Sequence, residues 1–170
     1  MAGDGEGEDA PPSGWAGAAY DGTSDSIGEA RRFATDYLRR LAGEGLLVST
    51  DGVGAVQLVV SELVTNAVKY SPGPCLLDLE PVGDALDITV WDSSLTLPTV
   101  APPEPGRVGK HGLEIVAALS EELQARRTPI GKRITARVRL TAPDRSAGRD
   151  ERDDAVGDVD GDRASGRGPS

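Results

Sequence analysis

The chain has 170 residues, a formal net charge of −10 and a single cysteine, Cys75. That length accommodates one compact domain with loose ends, and an acidic balance with no basic stripe argues against nucleic acid as a partner. The apolar stretches are far too short to cross a bilayer, a lone cysteine forms no internal disulfide, and no Cys/His cluster suggests zinc.

The acidity sits mostly at the ends. Residues 1–22 carry Asp4, Glu6, Glu8, Asp9 and Asp21 without a Lys or Arg, and residues 141–170 carry eight acids against five arginines. Both ends are rich in Gly, Ser, Asp and Ala, so they bury too little apolar surface to offset the entropy of ordering. Residues 1–23 are therefore expected to be a disordered acidic segment and 142–170 a disordered charged tail, flanking a folded domain over 24–141. The N-terminus has neither a basic start nor an apolar core, so no signal peptide is expected and the cytoplasm is the expected compartment.

Within the middle, Ile27, Ala30, Phe33, Ala34, Tyr37, Leu38 and Leu41 recur at helical spacing, with Ser26 and Glu29 placed as a capping box. A second helix is predicted from about Asp51, with Val53, Val56, Val60, Leu63, Val64 and Ala67 as its stripe, ending at Ser71-Pro72-Gly73. "CLLDLEPV" and "ALDITVWD" then read as two strands joined at Gly83-Asp84. The Pro- and Gly-rich run from Ser93 to Gly112 is a long loop, of the kind that carries function. A short helix opened by Gly112 follows, then a hairpin turning at Ile130-Gly131, whose last strand alternates Ile134, Ala136, Val138 and Leu140. Tight turns impose antiparallel pairing, so the order α-α-β-β-loop-α-β-β predicts an α+β two-layer sandwich: a mixed, mostly antiparallel sheet covered on one face by about three helices.

The second helix poses the functional question. Glu62, Asn66 and Lys69 share the face opposite its apolar stripe. A solvated surface accounts for the spacing alone. Yet Ala55, Leu58, Val59 and Tyr70 lie on or beside that face, and asparagine is a poor helix-interior residue. A ligand with a covering loop would explain both. The chemistry suits a magnesium nucleotide: an amide oxygen is a hard ligand, a carboxylate one turn earlier can take a proton from an attacking hydroxyl or water, and a lysine balances phosphate charge. Other phosphate motifs fail. In Gly106–His111 the first glycine stands too near Lys110 for a Walker A loop, and His111 occupies the place of the Ser or Thr; "DGVGAV" follows no strand, and no nucleophile elbow is present.

"ELVTNAVKY", "VWDSS", "GKHGLEIV" and "GKRITARV", in this order, resemble the GHKL ATPase superfamily of gyrase, histidine kinases and related chaperones, most nearly the bacterial anti-sigma-factor serine/threonine kinases and their short ATP-binding relatives. The resemblance spans about residues 26–140. It implies a Bergerat-type sandwich that binds ATP with Mg2+. Glu62 matches the general base, and Asn66 the magnesium ligand. Asp92 matches the aspartate that reads the adenine amino group. The loop to Arg107 corresponds to the lid over ATP. Gly109, Lys110, Gly112 and Leu113 fall on the phosphate-binding turn, where backbone N–H groups at a helix start meet phosphate. Thr135 falls near a threonine that lines the adenine pocket, and Trp91 is expected to pack beside it.

Two glycines usual in the superfamily after Asp92 are here Ser94 and Thr96, and Lys110 stands at the earlier glycine of the phosphate turn. The resemblance implies a serine/threonine protein kinase acting on a protein partner, either a sigma factor or an anti-sigma antagonist, with a possible homodimer. A nucleotide-gated module that holds its partner without transferring phosphate is the alternative.

Overall fold

The computed structural model describes residues 14–71, 73–98 and 112–142. The elements are β1 (Ala16–Tyr20), α1 (Asp25–Gly43), α2 (Thr50–Tyr70), β2 (Cys75–Val82), β3 (Ala85–Asp92), α3 (Gly112–Leu119), β4 (Glu122–Thr128) and β5 (Gly131–Arg139). The strands form one sheet in the order β1-β2-β3-β5-β4, antiparallel at each junction. Helix α2 is central: it packs on the sheet, with α1 on one flank and α3 on the other. This is the expected two-layer α+β sandwich.

The helices form where the apolar spacing places them. Ala30, Ala34, Leu38 and Leu41 of α1 and Val56, Val60, Leu63 and Val64 of α2 are buried against Leu77, Leu79, Ile88 and Val138 of the sheet. Ser49 caps α2 by accepting from the Gly52 amide at 3.0 Å, and its own amide donates to the Leu140 carbonyl at 2.8 Å. That contact ties the start of α2 to the end of β5. Burying each large aliphatic side chain contributes about 1.5–3 kcal/mol, so this core is the main source of stability.

Three local expectations are corrected. The segment to residue 23 is not all loose: Ala16–Tyr20 is an edge strand paired to β2 from Ala16↔Leu79 to Tyr20↔Cys75. Small residues hid it from a composition-based reading, because an edge strand can be held by backbone ladder bonds with little side-chain burial. The Tyr37 hydroxyl, donating to the Gly14 carbonyl at 2.7 Å, anchors its start. The capping box at Ser26 and Glu29 is replaced by another device. Ser26 is buried inside α1, and its hydroxyl donates at 2.9 Å to Asp21 Oδ1, which also accepts from the Thr23 amide at 3.0 Å and hydroxyl at 2.9 Å. The Thr23 amide bond, foremost, holds the Asp21 carboxyl below its ordinary range. Val59, read as lying beside the polar face of α2, is fully buried, whereas Leu58 and Tyr70 are exposed. Segments 1–13 and 143–170, where disorder is expected, lie outside the described residues.

The helix-free face of the sheet is polar and paired. Arg137 makes two bonds to Asp87 at 2.7 and 2.8 Å, and the Trp91 indole donates to Asp78 at 2.7 Å beneath the Arg133 guanidinium. The hydrogen bonds that Arg137 donates to Asp87, and then the Asp87 charge, raise the Arg137 pKa still further. Trp91 therefore lies on the sheet face opposite the helices and does not pack beside the expected pocket, because its position in β3 is one residue out of phase with Val90 and Asp92.

Burial pushes the phenols of Tyr20 and Tyr37 up to about 12; the Glu29 carboxylate and then Cys75 add to the effect at Tyr20, and the Arg40 cation opposes it at Tyr37. A folded pKa above the ordinary 10.0 means that the native state keeps these protons more tightly than the unfolded chain. Their stabilisation is thus complete below about pH 10 and disappears as pH rises towards 12. Alkaline unfolding is expected in that window, with loss of far-ultraviolet circular dichroism accompanying phenolate absorbance.

Candidate functional site

The C-terminal half of α2 carries Glu62, Asn66 and Lys69. Glu62 and Asn66 are half-buried and Lys69 is exposed. Glu62 reaches α3: a Cβ on Gly112 would collide with Glu62 Oε2, so the carboxylate rests directly against the first residue of that helix. The lack of a side chain at Gly112 permits this approach, which sets an acidic group beside the start of a helix.

Asn66 stands one turn further along α2. Its Oδ1 is buried and has no hydrogen-bond partner among the described residues. Leaving such an oxygen unpaired costs about 1–3 kcal/mol, so this atom fits a ligand that supplies a cation or a donor. Among the described residues no group of three or more His, Cys, Asp or Glu is placed to hold a metal ion. A divalent ion held here would need oxygens from water or a bound ligand beside the Asn66 amide oxygen, which is the usual manner of magnesium.

Asp92 closes β3, and its surroundings tie together four parts of the chain. The Ser71 hydroxyl, at the C-cap of α2, lies 3.0 Å from the Ser93 hydroxyl and accepts from the Ser93 amide at 3.0 Å. Asp92 Oδ1 accepts from the Ser94 amide at 2.8 Å, and Asp92 Oδ2 lies 3.0 Å from Lys132 Nζ. The Asp92 and Lys132 side chains are each only 2% exposed. They are register partners on β3 and β5 and project to the helix side. Gly131, just before, permits the close approach: a Cβ there would strike the Asp92 carbonyl oxygen and lie 2.8 Å from Ser93 Cα. Beneath this corner, burial and then the Asp92 charge push the Cys75 thiol up, which keeps it protonated at neutral pH.

The site thus gathers Glu62 with Gly112, and Asp92 with Lys132 and the end of α2. Leu113 packs partly buried against the core. Thr135 is not brought to the site: it lies on the helix-free face, where its hydroxyl meets that of Thr89 at 2.9 Å. The pleat explains this, since Lys132, Ile134 and Ala136 point to the helices and Thr135 must point away. Gly109, Lys110 and the expected lid to Arg107 lie outside the described residues. Sequence reasoning missed Lys132, Gly131 and Ser71. Lys132 had a signal: stepping back by two along the alternation Ala136, Ile134 places a lysine on the inward face. On the other flank of α2, a groove of about 500 Å3 beside α1 is lined by Arg31, Arg32, Thr35, Asp36, Arg39 and Gln57.

The α+β sandwich thus sets a central helix with a carboxylate and an orphaned amide one turn apart beside a glycine-opened helix, with a buried aspartate at a strand end. A family model described as histidine kinase-like ATPase domain matches residues 21–138. The chain belongs to that family and, through it, to the GHKL-type ATPases; a general ATP-using role follows. No curated protein matches the chain. Among the described residues no helix is long and apolar enough to cross a membrane.

Proposed function

We infer that this protein binds ATP with Mg2+ in the cleft between α2, α3 and the adjoining ends of β3 and β5, and transfers the terminal phosphate to a Ser or Thr hydroxyl of a partner protein. The observation that carries the reading is the buried, unpartnered Asn66 Oδ1 set one turn from Glu62. Asn66 would hold the metal, which when bound neutralises charge on the phosphate oxygens. Glu62 accepts the proton of the acceptor hydroxyl as the oxygen–phosphorus bond forms and the bond to the ADP oxygen breaks. Backbone N–H groups at the start of α3 face the transferred phosphate, and Lys69 adds positive charge nearby. Asp92 meets the base. Resemblance to the anti-sigma kinases suggests a cytoplasmic setting, a sigma factor or anti-sigma antagonist as partner, and a homodimer.

A non-catalytic, nucleotide-gated partner-binding module is the second reading. It is favoured by Ser94, whose amide is engaged with Asp92 at a position where the superfamily has glycine. Glu62→Gln separates the two. In the kinase it lowers transfer of labelled terminal phosphate, to a protein acceptor or to water, by about 100-fold or more. ATP affinity stays within about threefold, because the shape beside Gly112 is kept. In the module the substitution changes neither phosphate release nor partner capture.

A further inference from the structure

We propose that Lys132 is a base-reading residue of this site: with Asp92 it presents an acceptor and a donor side by side to the edge of an adenine. The inference rests on the reading of the Asp92 corner as the place where the base binds.

Three observations carry it. First, the Lys132 ammonium is deeply buried, with a side chain 2% exposed, and it sits on the same sheet face as Asp92. Second, an ammonium has three N–H donors, and its one partner among the described residues is Asp92 Oδ2, at 3.0 Å. Its remaining donors are unspent at a depth where that is costly. Third, Asp92 keeps acceptor capacity: a carboxylate offers about four lone-pair sites, and the Ser94 amide and Lys132 occupy one each.

A buried ion pair is poor evidence of a stability role, since apolar residues of similar volume do as well or better. Recognition explains it. Adenine shows an N6 amino donor flanked by ring-nitrogen acceptors, N1 on one side and N7 on the other. Asn and Gln read such an edge by pairing a carbonyl oxygen with an adjacent amide nitrogen. The Asp92 oxygen and Lys132 nitrogen have the same order, acceptor then donor, with both groups charged. Asp92 takes the amino proton and Lys132 donates to the flanking ring nitrogen. A guanine brings O6, an acceptor, to the place of the amino group and so opposes the Asp92 oxygen.

The test is equilibrium binding of ATP, 1-deaza-ATP, 7-deaza-ATP and GTP in the presence of Mg2+, with the full-length wild type, Lys132→Arg and Lys132→Met. Wild type should prefer ATP over one of the two deaza analogues by about tenfold, and over GTP by more. Lys132→Arg, which keeps a buried donor, should retain a preference. Lys132→Met, with its fold checked by circular dichroism, should bind ATP and that analogue alike. Equal wild-type affinity for ATP and both analogues overturns the proposal without any variant, as does discrimination that survives intact in Lys132→Met. Both of these outcomes leave the nucleotide reading standing. No binding of ATP to wild type overturns the proposal together with that reading.

Discussion

Gly131→Ala is expected to destabilise the fold by about 3 kcal/mol and to lower the melting temperature by roughly 10–15 °C. The added methyl would be built into the Asp92 carbonyl oxygen, with Ser93 Cα 2.8 Å and the Asp92 carbonyl carbon 2.9 Å away. These are backbone atoms held by the β3–β5 ladder, so no flexible side chain can swing aside. The start of β5 must move off β3, and that movement breaks the Asp92–Lys132 register. Thermal unfolding with matched circular dichroism baselines measures the effect. Gly54→Ala is the control: it lies in α2 with nothing within 4 Å of the added carbon, and should be neutral or slightly stabilising.

Lys132→Met should cost about 3–5 kcal/mol, because it leaves the Asp92 carboxylate buried without its counter-charge. Asp92→Asn combined with Lys132→Met should regain most of that loss. The two substitutions are therefore strongly non-additive, as contacting partners are. Chemical denaturation reads this as a lowered midpoint in the single variant and a near-normal midpoint in the double variant, at a similar slope. Additive losses would mean that the two side chains act independently.

Much of this architecture is legible in the sequence, for a simple reason. The cores of α1 and α2 are marked by helical periodicity over many residues, and both hairpins by turn residues between alternating strands. Gly83, with φ of 61°, sits where the β2–β3 turn was expected. Features that depend on partners distant in sequence were not legible. Strand β1 has the composition of a loose tail, and its identity comes from the β2 edge it joins. Asp21 displaces the predicted capping box because its side chain accepts three hydrogen bonds from two residues that follow it, Thr23 and Ser26.

Thr135 and Lys132 show how two kinds of sequence signal can compete. Resemblance pointed to Thr135 as a pocket residue, while the alternation of β5 assigned it to the polar face, and the pleat decides in favour of alternation. The same alternation carries Lys132 inward, but only the β3–β5 register reveals Asp92 as its partner. Glu62 and Asn66 could be singled out from one helix alone, since a carboxylate and an amide stand one turn apart in an apolar-rich run. What each touches depends on the packing of α3 against α2.

The most direct test of the proposed Mg–ATP cleft is calorimetric titration of wild type and Asn66→Ala with ATP, with magnesium and again with chelator. If Asn66 Oδ1 is the metal-side ligand, wild type binds ATP with magnesium and Asn66→Ala binds at least about tenfold more weakly. The difference between the two proteins should shrink when magnesium is removed. No heat from wild type, or equal affinities for the two folded proteins with magnesium present, would contradict the account.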